Sequence, residues 1–291
     1  MKEIHIKIID KMKSLLFLCF CVAMAFSAMA SSVSDTYVIP NPQQMVCGDG
    51  HFVLRAQASF SCNLTGTDKD DFVSYVSNSP LSLTYKKKGK ADITFKLVSP
   101  ENAKMKEEAY RLKVTKKGIQ AEAISASGLF YAFQSIVQLA RESGNGTYQL
   151  PEVTIEDAPR FSYRGMHLDV SRHFYTKEFV KKQIDALARY KLNRFHWHLT
   201  DGAGWRIEIK KYPELTRETA YRPFPDWKSW WNGGRTYCRQ DAPGASGGYY
   251  TQEDVKEIVE YARQRHITVI PEIEMPAHSE EVLAALPQLA C

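Results

Sequence analysis

Between residues 161 and 275 the chain repeats one unit, a short apolar run followed by a longer amphipathic stretch. "FSYRGMHLDV" (161–170), "LNRFHWHLT" (192–200) and "ITVIPEIEM" (267–275) read as buried strands. "TKEFVKKQIDALARYK" (176–191) and "TQEDVKEIVEYARQRH" (251–266) read as helices, each opening on a threonine cap. The first keeps Phe179, Val180, Ile184, Leu187 and Tyr190 on one side. Strands separated by helices make βαβ units and a parallel sheet. Right-handed crossovers leave a doubly wound sheet or a (β/α)8 barrel. No glycine-rich phosphate-cradling motif follows any of the three strands, which favours the barrel.

Upstream the rhythm differs. "DITFKLV" (92–98) and "AYRLKVT" (109–115) read as strands, and "KKG" (116–118) turns the chain into "IQAEAIS" (119–125) to complete a hairpin. "SGLFYAFQSIVQLARE" (127–142) predicts a helix with one buried face, and a loop and a strand then run to Pro159. The expected organisation is therefore a small α/β domain over 37–158 and the first half of a (β/α)8 TIM barrel over 159–291. Residues 1–30 read as a signal peptide: four lysines, the apolar run "SLLFLCFCVAMAF", and a small-x-small cleavage signal at Ala28-Met29-Ala30. Export to the periplasm or beyond follows, with no stable membrane span after cleavage. Removing those residues leaves a net charge of +3, too mild to argue for nucleic acid. Of the four remaining cysteines, Cys47, Cys62, Cys238 and Cys291, sequence does not choose a pairing.

In a barrel the chemistry sits at the C-terminal ends of the strands. Those ends are ionisable here: His167 and Asp169, then His198 and Asp201, then Glu272 and Glu274, with His278 just beyond. The long loop 201–250 holds Trp205, Trp227, Trp230, Trp231 and Tyr250, whose faces could stack on pyranose rings but could equally pack the loop. Acids and aromatics in an exported chain suggest a sugar substrate. His196 and His198 form an H-x-H pair, which in some barrels binds zinc. Trp197 between them would face the opposite layer and no further histidine or lysine follows at the next strands. We therefore expect His196 to be a core residue bonded to backbone, and expect no metal and no cofactor.

"YRGMHLDVSRHF" (163–174), "HWHLTDGAGWRIEI" (197–209), "GGYYTQEDVKEIVEYA" (247–262) and "VIPEIEMPAH" (269–278) together resemble the family 20 glycoside hydrolases, the β-N-acetylhexosaminidases. The resemblance covers 160–291, and 37–158 resembles the small domain that precedes the barrel in that family. It implies hydrolysis of terminal N-acetylhexosamine from glycans, in which the substrate's own acetamido oxygen attacks the anomeric carbon. It further implies that Arg164 binds hydroxyls of the terminal sugar, with Asp169 and Trp205 also at the substrate. Asp201 and His278 would support the acid glutamate. The family usually has Asp-Gln where this chain has Gly202-Ala203, and Asp and Gly at Glu274 and Ala277. Its acid and orienter form an Asp-Glu dipeptide ending the fourth strand, and no Asp-Glu occurs after residue 160. A whole barrel takes roughly 250 residues, so an incomplete barrel, and hence a fragment, is expected. The alternatives are a non-catalytic sugar-binding remnant and a metal-dependent barrel hydrolase using His196 and His198.

Overall fold

The computed structural model describes residues 37–103 and 105–290. The signal peptide expected over 1–30 lies outside the described residues.

Eight strands from the first part of the chain share one mixed sheet: β1 (Gln44–Leu54), β2 (Ser59–Cys62), β3 (Thr84–Tyr85), β4 (Ile93–Leu97), β5 (Tyr110–Thr115), β6 (Gly118–Ala123), β7 (Arg141–Gly144) and β8 (Thr147–Asp157). The order is β1-β8-β5-β6-β4-β2-β3, with β7 paired to β8. β5 alternates strictly, burying Tyr110, Leu112 and Val114 and exposing Arg111 and Lys113, as a sheet with one covered face requires. The expected β5–β6 hairpin is present, Thr115 pairing with Gly118 across Lys116-Lys117.

Helix α1 (Gly66–Ser77) and helix α2 (Ala126–Leu139) cover this sheet. The sequence predicts one buried face for α2, but nearly every residue from Gly128 to Leu139 is buried. The sheet takes one side and the barrel segment takes the other. There Tyr131 Oη lies 3.2 Å from Arg164 Nη2, the Phe130 ring meets that of His266, and Gln138 Nε2 donates to Arg189 O at 2.8 Å. A helix apolar nearly all round is buried all round. The helix also stops at Leu139 rather than 142. Residues 141–144 form β7, which returns to β8 through Asn145 (φ 52°) and Gly146 (φ 67°). Two successive left-handed residues are what a tight hairpin demands, and Asn-Gly supplies them at least cost.

In the second part, β9 (Gly165–Asp169), β10 (Arg194–His198) and β15 (Thr268–Glu272) form a parallel sheet with β10 in the middle. Helix α3 (Lys177–Arg189) joins β9 to β10. Helix α6 (Gln252–Arg263) precedes β15, after the short helices α4 (Glu214–Thr219) and α5 (Trp227–Asn232). Both long helices start on their threonines. Thr176 Oγ1 accepts from Phe179 N, and Thr251 and Asp254 make a full capping box. Their buried residues, Val180, Ile184 and Leu187 on α3 and Ile258 and Ala262 on α6, share a core with Phe195 and Trp197 of β10. Side chains alternate along a strand, so His196 and His198 face the other way, into what a closed barrel makes its lumen. Burial of the whole "FHW" run is thus corrected: Phe195 and Trp197 are buried, while His196 meets a carboxylate on the lumen side.

The loop 201–250 is folded rather than irregular throughout. It carries the paired segments β11 (Thr200–Asp201) with β12 (Gly204–Trp205), and β13 (Tyr221–Arg222) with β14 (Ser246–Gly247). Arg206 fastens it. Its guanidinium, 1 % exposed, donates to the carbonyls of Val170, Ser171, Ala203, Ala220 and Gly248, tying the exit of β9 to both ends of the loop. Burial, with repulsion from Arg222 behind it, lowers its pKa to about 10.

Candidate active site

The parallel register sets Asp169, His198 and Glu272 side by side at the C-terminal end of the sheet. The next turn brings Arg172 over them. Asp169 Oδ1 accepts from the amides of Ser171 and Arg172, bending the chain so that Arg172 Nη1 reaches Asp169 Oδ2 at 2.8 Å. Arg172 Nη2 then lies 2.5 Å from Asp201 Oδ2. Asp201 is buried in the β11–β12 turn, and the same oxygen has His278 Nδ1 at 3.4 Å and His198 Nε2 at 3.5 Å. His278, more than half exposed, sits at φ 55° beyond β15, so its loop bends back toward the strand ends. Asp169, Asp201 and His278 are therefore brought together as the sequence predicts, around an arginine that it did not single out.

Beneath them lies a histidine-rich layer. Glu272 Oε2 is 2.7 Å from His196 Nε2, 2.9 Å from His198 Nδ1 and 3.5 Å from His167 Nε2. His196 is thus paired with a carboxylate rather than with backbone, correcting the expectation for it. Burial alone would raise the Glu272 pKa, but a hydrogen bond from Glu274 and the charges of His198 and His196 outweigh it and hold the group below its ordinary value. For His198 burial pushes down, while Asp201, Asp169 and Glu272 prevail and raise it. Asp169 is held low because the Arg172 amide and guanidinium outweigh its burial.

Two expected substrate residues are not brought to this mouth. Arg164 precedes β9, at the opposite end of a strand about 16 Å long. Its guanidinium grips Glu108 bidentately at 2.9 and 3.0 Å and also donates to Lys191 O, Phe161 O and Tyr131 Oη. It is a strut between the two parts of the chain, with no donor directed at the strand C-termini. Trp205 is 6 % exposed and gives its indole N–H to Ile207 O at 2.6 Å, so its ring packs the loop instead of offering a platform. Trp230 and Tyr250 are likewise core, whereas Trp227 and Trp231 on α5 are exposed, with the Arg235 guanidinium 3.6 Å over the Trp231 ring. Asp169 is at the mouth, yet its oxygens are spent on the turn and on Arg172.

The loop after β15 supplies groups that the sequence pattern did not reveal. A Cβ on Gly202 would run into the Glu280 carboxylate, so the small residue there makes room for an acid from helix α7 (Glu280–Ala285). Glu281 is fully buried and neither carboxylate oxygen has a partner among the described residues. Burial, with Asp201 and Glu280 nearby, raises its pKa to about 8. It was invisible because "HSEEVLAAL" reads as an ordinary acidic helix start.

A parallel β/α barrel segment whose strand ends converge carboxylates, histidines and an arginine has the active-site face of a barrel enzyme. Comparison with known families makes this specific. Residues 161–291 match the model for the glycosyl hydrolase family 20 catalytic domain, and residues 35–158 match that for glycosyl hydrolase family 20, domain 2. The chain belongs to glycoside hydrolase family 20. It is 38 % identical over 265 residues to a β-hexosaminidase of Vibrio furnissii, covering 89 % of this chain and 41 % of that protein. A β-hexosaminidase of Porphyromonas gingivalis is 48 % identical over 193 residues, 64 % of this chain and 23 % of the relative. Among solved structures, a Vibrio harveyi exo-β-N-acetylglucosaminidase in complex with N-acetylglucosamine superposes with a TM-score of 0.74 at 35 % identity, over 87 % of this chain and 38 % of that one. The chain thus spans less than half the length of these relatives.

Proposed function

We propose that this sequence is the N-terminal part of an exported β-N-acetylhexosaminidase that removes terminal, non-reducing GlcNAc or GalNAc from glycans with retention of configuration. The observation that carries the proposal is the cluster at the strand C-termini, in which buried Asp201 is tied to His278 on one side and to Arg172 on the other. In this reading the Asp201–His278 pair hydrogen-bonds and orients the acid glutamate. Arg172, partly exposed between two carboxylates, turns its remaining donors toward the hydroxyls of the terminal sugar. The acetamido group of the substrate is the nucleophile, so no second enzyme carboxylate has to reach the anomeric carbon.

The names of the relatives, β-hexosaminidases and an N-acetylglucosaminidase, support the substrate class. The test is release of p-nitrophenol from the β-GlcNAc glycoside by the full-length polypeptide that carries this sequence. Asp201→Asn should lower kcat by about 10²-fold or more, the usual worth of a positioned acid–base system. Folded protein that binds GlcNAc by calorimetry without turnover would instead make it a sugar-binding remnant. Neither binding nor turnover would reject the proposal.

A further inference from the structure

We propose that the lumen face of the β9–β10–β15 sheet is a binding site for a late first-row divalent metal ion, zinc above all, with His167, His198 and Glu272 as ligands. Nothing in glycoside cleavage as set out above calls for an ion, so the inference is independent of that reading. His167 Nε2, His198 Nδ1 and Glu272 Oε2 form a triangle with edges of 3.4, 2.9 and 3.5 Å. Metal–ligand bonds of ~2.0–2.1 Å at tetrahedral angles need ligand atoms about 3.3 Å apart. Two edges already meet that spacing, and the shorter one opens by a small rotation of the Glu272 carboxyl.

The surrounding groups match what metal-bound histidines require. A ligating imidazole gives its other N–H to a carboxylate, which sets the tautomer and the ring orientation. His198 Nε2 has both Asp201 Oδ2 and Arg172 Nη1 at 3.5 Å; with Nε2–H turned to Asp201, the Nδ1 lone pair faces the ion. His196 holds Glu272 Oε2 at 2.7 Å, the outer partner of a ligating carboxylate. Three strands supply one ligand each, so a rigid hydrogen-bonded sheet preorganises the triangle. Two imidazoles and one carboxylate select zinc, cobalt or nickel over calcium or magnesium, which prefer all-oxygen shells. The H-x-H pair of β10 is therefore not the chelate: alternate residues of one strand share the face, but His196 serves the carboxylate and His167 of the neighbouring strand completes the triangle.

The test uses the full-length protein, stripped with a chelator and titrated with zinc alone in a calorimeter and with cobalt in a spectrometer. We expect one ion per chain, a rise in Tm on zinc addition, and cobalt visible bands of tetrahedral intensity without a thiolate charge-transfer band. His167→Leu should abolish binding, and His196→Gln should weaken it about 10- to 100-fold while keeping the stoichiometry. His167 faces the lumen, which a closed barrel fills with side chains, so a melting curve of His167→Leu first establishes that the variant folds. Should His167→Leu fail to fold, Glu272→Gln with the cobalt spectrum of the parent decides in its place. Absence of stoichiometric binding, retention of it in His167→Leu or Glu272→Gln, or a thiolate band pointing to Cys47, Cys62 or Cys238 would overturn the proposal.

Discussion

Replacing Arg164 by alanine should destabilise the protein and leave its chemistry intact. The side chain is 15 % exposed and its partner Glu108 is 23 % exposed. Removing one member of a fully buried pair costs about 3–5 kcal/mol, because the other charge is stranded. Partial exposure lets water reach Glu108, so we expect about 2–4 kcal/mol, shared with the lost bonds to Lys191 O, Phe161 O and Tyr131 Oη. Glu108 also receives Asn193 Nδ2 at 3.1 Å and Tyr131 Oη at 3.1 Å, so it keeps two partners. Burial opposes ionisation of Glu108, yet these donors and the guanidinium hold its pKa below the ordinary value. A depressed carboxylate contributes stability above its unfolded pKa and loses it as pH falls through the folded one. Part of the acid sensitivity of the parent between roughly pH 4.5 and lower values should therefore vanish in Arg164→Ala. The assay is urea unfolding with m held common, repeated for Glu108→Gln and the double variant, and kcat/KM on a β-GlcNAc glycoside at a temperature where all are folded. A coupling of about 1–3 kcal/mol with unchanged kcat/KM supports the strut. Unchanged stability with kcat/KM down tenfold or more would return Arg164 to the substrate and refute it.

Arg172→Ala should do the reverse, lowering kcat/KM about 10- to 100-fold, since a charged bond to a sugar hydroxyl is worth ~1.5–3 kcal/mol; a Michaelis–Menten comparison with Arg172→Lys checks it. With the folded pKa of Glu281 near 8, above its unfolded value, the folded state holds the extra proton. Stability should fall as pH rises from about 4.5 through about 8, by about 5 kcal/mol. Glu281→Gln should flatten that slope in unfolding curves taken at pH 5 and pH 9. Gly202→Asp should destabilise only slightly, by under about 1 kcal/mol, because the exposed Glu280 carboxylate can swing away and only like-charge repulsion remains; a thermal-melt double-mutant cycle with Glu280→Ala would read the coupling. On the export reading the mature protein should begin near Ser31, and N-terminal sequencing that still starts at Met1 would remove that reading.

Periodicity carried the architecture. The apolar stripe of 176–191, the Thr251 start with Asp254 three residues on, and the strands at 165–169, 194–198 and 268–272 all lie inside segments legible from residue order alone, because each rests on local spacing and local capping. Residue order also put Asp201 three residues past β10 and His278 six past β15, and the structure brings the two side chains together. What failed is what depends on which end of an element a residue occupies or on what packs over it. Arg164 and Arg172 lie eight positions apart in one motif, but a five-residue strand runs between them, and only the sheet's direction in the barrel decides which guanidinium reaches the mouth. Trp205 has the composition of a sugar platform and the environment of a core residue, because Arg206 beside it binds five carbonyls, four of them 14 or more residues away. Residue order assigned α2 one buried face, and only packing put the sheet on one side and the barrel segment on the other, burying nearly every residue from Gly128 to Leu139. Meetings of this kind, like that of His167 with Glu272 across three strands, bring together residues far apart in the sequence. No window along the chain contains both partners, so tertiary packing alone decides them.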